Sequence, residues 1–134
     1  MTEAALYDIW PARFVIVGAP CSYKNSKRAV RMGKRFALLP SKSAERWMKA
    51  ALEQLESQWA YGPIPKSVRV NAKILSYLPT RRLTDLDNLL GGPGDALQRA
   101  GILEDDVSIC SFDGSRRLYD KERPRVVIEL TPAA

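Results

Sequence analysis

Six carboxylates and one arginine fall within twenty-two positions of an otherwise basic chain, at residues 85–106, DLDNLLGGPGDALQRAGILEDD. Asp85 and Asp87 open this acidic stretch, and Asp105 and Asp106 close it. Carboxylates gathered at one point repel one another unless a cation or bound protons offset their charge. The acidic stretch is therefore a candidate metal site.

The residue types indicate which cation such a site would take. The chain has no histidine, and its cysteines, Cys21 and Cys110, form no C-x-x-C pair, so the composition argues against a structural zinc site. Carboxylate oxygens suit a hard cation, Mg²⁺ first and Mn²⁺ next. Such an ion polarises a phosphodiester and lowers the pKa of a bound water, so hydrolysis needs no histidine base.

Chain length allows the two ends of the acidic stretch to meet. A helix over residues 88–99 advances about 18 Å, and an extended return over 101–106 covers about the same distance at roughly 3.3 Å per residue. Asp106 can therefore approach Asp87. Helix capping is the alternative interpretation, with Asp87 or Asn88 accepting hydrogen bonds from free N–H groups, and the sequence leaves both open.

The middle of the acidic stretch, GGPG at residues 91–94, disturbs the expected helix. Glycine and proline are the poorest residues in a helix interior. We expect the helix to break near residues 91–92 and to restart at Pro93, because proline is a good first helical residue. Asp95 would then be a first-turn helix residue rather than a metal ligand.

The excess positive charge is confined to one segment. The net charge is +6, and residues 22–42 hold seven Lys or Arg and no acid, whereas the remainder has fourteen basic and fifteen acidic residues. We interpret residues 19–42 as a long basic loop, either a solvated face or a surface that follows a phosphate backbone. Its candidate contacts are Lys24, Lys27, Arg28, Arg31, Lys34 and Arg35.

The hydrophobic pattern predicts a single domain over residues 1–134, of the α+β class. It has the order β-α-β-α-β-β and a mixed sheet backed by helices. The predicted elements are strands at 12–18, 67–78, 107–112 and 124–130, a helix at about 44–59 with Ser43 as N-cap, and the interrupted helix after residue 87. No apolar run is long enough to cross a membrane, and no signal pattern opens the chain, so we expect a cytoplasmic protein.

Four motifs follow one another in the acidic stretch: DLDNL (85–89), DAL (95–97), AG (100–101) and EDD (104–106). With this spacing the chain resembles the RusA family of Holliday junction resolvases, which are often encoded by prophages. The resemblance extends more loosely to the first strand, to a P-x-S-x-K-N type loop at residues 20–25 and to the closing strand. It covers most of the chain, and only residues 85–106 are specific.

The resemblance implies a RusA-like fold and a homodimeric, Mg²⁺-dependent crossover junction endodeoxyribonuclease. Such an enzyme binds four-way DNA junctions and resolves them by paired, symmetric nicks in DNA recombination and repair. The family's three catalytic, metal-binding aspartates correspond to Asp85, Asp87 and Asp106, and Asp105 is the neighbour most easily confused with the third. In a dimer, two active sites can address two strands of one junction. The basic segment would then bind DNA.

One position departs from the family pattern. The family usually has a catalytic lysine on the helix just after DNL, and Gly91 stands there in this chain. That lysine is expected to stabilise charge that develops on the phosphate. The candidates to replace it are Lys24, Lys27, Lys34, Arg81 and Arg82.

Two other functions stay open at this point. The first is a branched-DNA-binding protein of the same fold with weak or no cleavage, because Gly91 supplies no charge. The second is a basic RNA-binding or phage structural protein whose aspartates only cap helices.

Overall fold

The computed structural model describes residues 3–22 and 27–133. Within those ranges, no helix combines the length and apolar character needed to cross a membrane. The elements in chain order are α1 (Glu3–Asp8), β1 (Ala12–Val17), β2 (Lys27–Met32), β3 (Arg35–Pro40), α2 (Lys42–Ser57), β4 (Val70–Leu78), α3 (Leu86–Arg99), a 3₁₀ helix (Asp106–Ser108), β5 (Ile109–Ser111), β6 (Arg116–Tyr119) and β7 (Arg125–Pro132).

Five strands form one mixed sheet in the order β1-β7-β4-β5, with β6 also paired to β4. β7 runs antiparallel to both β1 and β4, while β5 and β6 run parallel to β4 along its other edge. Between β5 and β6 the hydroxyl of Ser115 accepts a hydrogen bond from the N–H of Ile74 at 2.9 Å, so the edge of β4 stays paired there. The predicted α+β class and mixed sheet are confirmed.

The hydrophobic core lies between the sheet and the helices α2 and α3. Along β4 every second residue is buried, as its alternating sequence predicts. The sequence of the predicted helix also places Trp47, Ala51, Leu55 and Trp59 on one apolar stripe. The structure confirms it, because the first three are buried in α2 and Trp59, just beyond the helix, packs partly buried against the same core. The helical and strand periods of the sequence thus identify the core-facing residues of both layers.

Helix α3 is continuous from Leu86 to Arg99, with Pro93 inside it, so the predicted break near residues 91–92 is wrong. Proline removes one backbone hydrogen bond, but Gly92, Pro93 and Gly94 are all buried against the rest of the domain. A Cβ built on Gly94 would lie 3.6 Å from Cδ1 of Ile109 in β5. That distance is ordinary van der Waals contact, so this side of α3 packs against β5 without strain, and its burial outweighs the poor helix propensity.

The segment predicted as a basic loop contains a two-stranded antiparallel hairpin, β2–β3, so its interpretation as loop throughout is wrong. Gly33 allows the tight turn, since its φ of 64° lies in the left-handed region. Arg31 pairs with Phe36 across the hairpin. Phe36 and Leu38 are 74% and 75% exposed, so this face carries apolar as well as cationic side chains.

Strand β6 was missed because its sequence, RRLY, lacks an apolar alternation. It lies within what the sequence predicts as a polar loop between the last two strands. Its residues are mostly exposed, and pairing with β4 holds it in place. An edge strand with charged side chains gives little hydrophobic signal in the sequence, because it is held by backbone hydrogen bonds to the sheet rather than by burial of apolar side chains. The observed order α-β-β-β-α-β-α-β-β-β therefore differs from the predicted one.

The N-cap of α2 is Ser41 rather than the predicted Ser43. The Ser41 hydroxyl accepts a hydrogen bond from the N–H of Ala44 at 3.1 Å. We expect Ser41→Ala to lower the free energy of unfolding by about 1 kcal/mol, the usual value of a lost cap. Ser43→Ala is the matched control, since it removes only the contact between the two hydroxyls, and urea unfolding measures both. Equal losses in the two variants would contradict the assignment.

Candidate active site

Asp85 occupies the N-cap position of α3, and its side chain makes no capping hydrogen bond. Its backbone carbonyl instead accepts from the N–H of Asn88 at 3.1 Å. Asp87 lies in the first turn of α3, and both carboxylates are exposed. The helix N-terminus, which carries a partial positive charge, favours anionic side chains at both positions. Asp85 therefore presents its carboxylate to solvent rather than capping the helix.

An open, polar cavity of about 420 Å³ lies beside Asp85. Arg82, Asp85 and Asn88 contribute to its wall, and so do Pro20 and Ser22 from the segment after β1. The two stretches that carry the family resemblance, the loop near residue 20 and the DLDNL motif, therefore meet in space. In chain order the basic hairpin β2–β3 follows this loop, so the cationic side chains belong to the chain segment that comes directly after the residues lining the cavity.

Arg117 supports the loop that presents Asp85, a role that was not predicted from the sequence. Its guanidinium Nη1 donates a hydrogen bond of 2.6 Å to the carbonyl oxygen of Thr84, the residue before Asp85. The pairing of Ser76 with Arg117 between β4 and β6 places the guanidinium within reach. No signal in the sequence could have shown this contact, because it depends on the unpredicted parallel pairing of β6 with β4.

Asp105 and Asp106, adjacent in sequence, have different roles in the structure. The Asp105 carboxylate accepts from the N–H of Val107 at 3.0 Å and caps the 3₁₀ helix. The Asp106 backbone N–H donates to Oε1 of Gln98 at 2.9 Å, and its carboxylate is exposed. Helix capping in this stretch is therefore observed at Asp105, which leaves Asp106 as the better placed of the two to bind a ligand.

The return of the chain after α3 brings Asp106 beside the C-terminal half of that helix. Its contact is with Gln98, and the carboxylates whose charges act on it are Asp105 and Asp95. Asp85 and Asp87 lie at the other end of α3, which has 14 residues and is about 21 Å long. Among residues 3–22 and 27–133, no three acidic or cysteine side chains are arranged so that they could hold a metal ion.

The donor chemistry nevertheless fits a hard divalent cation. Asp85 has carboxylate oxygens that are not used in capping, and Asn88, a residue type with an amide oxygen, lines the same cavity. Asp87 immediately precedes Asn88 in the first turn of α3. Asp95, in contrast, forms an ion pair with Arg99 at 3.2 Å, and it lies inside the continuous helix rather than in a first turn as predicted. The assignment of Asp85, Asp87 and Asp106 stays a prediction.

Partial desolvation of its largely exposed carboxyl group raises the pKa of Asp106 above its usual value, and the charge of Asp105, a hydrogen bond with Asp105 and the charge of Asp95 act in the same direction. The charged carboxylate therefore destabilises the metal-free fold. This penalty is complete above the folded-state pKa, shrinks as the pH falls through that value, and is absent below the ordinary value of 3.8.

We expect metal-free Asp106→Asn to unfold at a higher temperature than the wild type at pH 7. The difference should close as the pH is lowered, because the wild-type carboxyl then becomes neutral. Thermal unfolding in EDTA across the acid range measures it. Asp113→Asn is the control for the loss of one negative charge, since Asp113 lies exposed in the turn before β6. A temperature difference that does not change with pH would contradict the expectation.

Side chains are described for three of the six residues predicted to contact DNA. Lys24 lies outside the described residues, and only the backbone is described for Lys27 and Arg28. The other three, all exposed at the β2–β3 turn, are Arg31, Lys34 and Arg35. Arg31 donates from Nε to the carbonyl oxygen of Gly33 at 3.0 Å, within the same turn. The hairpin thus carries a group of exposed cations at its tip.

Gly91 lies within α3, four residues and about one turn after Asp87, and therefore on the same face. A lysine there would lie beside the acidic motif, whereas glycine supplies no charge. Of the candidates to replace it, Arg82 shares the cavity with Asp85, while the Arg81 guanidinium lies 4.2 Å from the centre of the Tyr119 ring. Arg82 is accordingly the described cation best placed beside Asp85.

A model of the family described as Endodeoxyribonuclease RusA matches residues 18–131 of this chain. The chain is also similar to the "Crossover junction endodeoxyribonuclease RusA" of Aquifex aeolicus (strain VF5), with 27% identity over 86 residues. The matched region is 64% of this chain and 66% of the relative, just under two thirds of its length. The family match includes both ends of the acidic stretch, the cavity around Asp85 and the basic hairpin. The chain therefore belongs to the RusA endodeoxyribonuclease family.

Proposed function

We propose that this protein is a structure-selective DNA endonuclease that resolves four-way junctions by paired, symmetric nicks, in recombination and repair. One observation carries the proposal: Asp85, Asn88 and Leu89 of the DLDNL motif line a polar cavity together with residues of the loop that leads into the basic hairpin. The arrangement joins an anionic site suited to a cation with a cationic surface suited to a polyanion. The name of the Aquifex aeolicus relative points to the same substrate.

In this proposal Asp85 and Asp87, at the start of α3, hold Mg²⁺, or Mn²⁺ in its place. Asp106, the third ligand that the family motif assigns, lies beside the C-terminal half of α3 in this structure. The bound ion supplies Lewis acidity and offsets the charge of the phosphodiester during hydrolysis. Arg82, in the cavity wall, binds the phosphate of the DNA. Arg117 holds the loop before Asp85 in position through its hydrogen bond to the Thr84 carbonyl. The exposed cations of the β2–β3 hairpin contact flanking phosphates.

We also propose that the active species is a homodimer that works in the cytoplasm. Each protomer offers one Asp85 cavity, and paired nicks on opposite strands of a junction require two sites in one assembly. A two-fold axis in the protein would match the approximate two-fold symmetry of a four-way junction. Sedimentation of the protein with and without a junction tests this part independently of cleavage.

A branched-DNA-binding protein with weak or no cleavage is the second candidate function. It is favoured by Gly91, which supplies no positive charge at the position one helical turn after Asp87. Removal of a positioned positive group from a phosphate-cleaving site slows the reaction strongly. The two candidates share the same fold and the same DNA surface, and they differ only in turnover.

The deciding experiment incubates the protein with a four-way junction labelled on each strand, with Mg²⁺ or Mn²⁺, and with linear duplex as control. The proposed function predicts nicks at symmetric positions on two opposing strands, none in EDTA and few in the duplex. Binding without nicking across pH, metal and junction sequence would leave the second candidate function. Affinity should also fall steeply with salt, because each neutralised phosphate releases counterions.

A further inference from the structure

A second cavity, of about 310 Å³, adjoins the Asp85 cavity. Its wall comes from the loop between β4 and α3 and from strand β6. Leu78, Arg82 and Leu83 line both cavities, so the two are neighbours along one surface. The residues of the second cavity are Leu78, Thr80, Arg81, Arg82, Leu83, Arg117, Leu118 and Tyr119.

The second cavity has a concentrated positive charge. Three of its residues, Arg81, Arg82 and Arg117, are arginines, and all three are exposed. Within the described part of the chain, none of them pairs with a carboxylate; the ion pairs there are Arg99–Asp95 and Arg125–Asp120. Three uncompensated charges in one concave surface attract an anion, and guanidinium groups match phosphate oxygens through paired N–H donors.

Arg81 is held in a defined position within this cavity. Its guanidinium carbon lies 4.2 Å from the centre of the Tyr119 ring, which is the geometry of a cation–π contact. Such stacking occupies the flat face of the guanidinium and leaves the N–H edge for hydrogen bonds. A side chain held in this way loses less conformational entropy when it binds a ligand. The contact with Tyr119 therefore prepares the Arg81 guanidinium to bind a phosphate, whereas a freely moving, solvated arginine would be less well prepared.

We infer that the second cavity is a phosphate-binding subsite for the DNA strand that occupies the Asp85 cavity, and that Arg81, stacked on Tyr119, is its main ligand. The inference rests on the proposed function, because it places a neighbouring phosphate of the same strand beside the one to be cut. Arg82 lies between the two cavities and borders both phosphates. Arg117 has a separate role, since its Nη1 is already bonded to the Thr84 carbonyl.

The test compares Arg81→Gln with the matched control Arg116→Gln. Arg116 is exposed on the same β6 strand, but it precedes Arg117 by one residue, faces the opposite side and does not line the cavity. Both variants lose one positive charge. Binding of a labelled four-way junction is measured in EDTA over a range of salt concentrations. Tyr119→Leu, which removes the ring under Arg81, is measured alongside.

We expect Arg81→Gln to weaken binding roughly tenfold and to lower the slope of log affinity against log salt by about 0.9, the value of one phosphate contact. Arg116→Gln should leave the slope unchanged, and Tyr119→Leu should fall between them. Equal slopes for Arg81→Gln and Arg116→Gln, with a wild type that binds and nicks junctions, would overturn the subsite alone. A slope change in a protein that never nicks would support the subsite and overturn the nuclease function.

Discussion

Asp87→Asn is expected to lower the rate of junction nicking by roughly a thousandfold or more, while junction binding in EDTA stays within a few-fold of the wild type. A metal ion supplies several kcal/mol of transition-state stabilisation, and each 1.4 kcal/mol or so corresponds to about a tenfold change in rate. Asn keeps the size and the first-turn position of Asp87 in α3, but it removes the negative charge that a divalent cation requires.

Two controls make the Asp87→Asn result specific. Asp113→Asn removes a carboxylate from an exposed turn of the same domain and should nick at the wild-type rate. Asp105→Asn tests the neighbour of the proposed third ligand. Asn keeps an oxygen that can accept the Val107 N–H in the 3₁₀ cap, so we expect this variant to fold and to nick like the wild type. Nicking by Asp87→Asn at the wild-type rate would refute the metal-ligand assignment and restore helix capping as the role of this residue.

Gly91→Lys is expected to increase the nicking rate at least tenfold if the missing family lysine limits turnover. The new side chain would lie one helical turn from Asp87 on the same face of α3, where its charge can act on the phosphate. Its long stem can also extend from a half-buried position to solvent. The single-turnover rate with saturating enzyme measures the effect on the chemical step, apart from binding.

Gly91→Gln and Gly91→Ala separate charge from helix stability. All three replacements remove a glycine from the helix interior and should stabilise the fold by roughly 0.5–1 kcal/mol. Only lysine adds charge, so a rate increase shared by all three would be an effect of helix rigidity. No rate increase in Gly91→Lys, with nicking by the wild type intact, would instead show that a cation from elsewhere already acts there. Arg82 is the first to test, because it shares the cavity with Asp85.

Periodicity was enough to predict the core of this domain. The stripe on α2 and the alternation along β4 are set by which residues avoid water, and both patterns are strong and local. Local propensity was not enough for α3. Glycine and proline predicted a break, but Gly92, Pro93 and Gly94 are buried against other parts of the domain, and this tertiary packing accompanies a continuous helix.

The acidic residues of the candidate site could also be selected from the chain, because their types and spacing stand out against a basic background. Their individual roles could not. Asp105 and Asp106 look equivalent as adjacent letters, and only the 3₁₀ helix shows that the first is a cap while the second remains exposed. The length of the chain allows Asp106 to reach Asp87, whereas the folded chain places Asp106 beside Gln98.

The amino-acid pattern thus settled the fold class, the core-facing residues, the acidic motif and the segment that holds the excess charge. These features depend on residue type and short-range spacing. Tertiary pairing settled the course of α3, the hairpin within the basic segment, the contact of Arg117 with Thr84 and the cavity in which Arg81 stacks on Tyr119. Each of these depends on contacts between the chain's distant segments or on backbone pairing, which leave no periodic trace in the sequence.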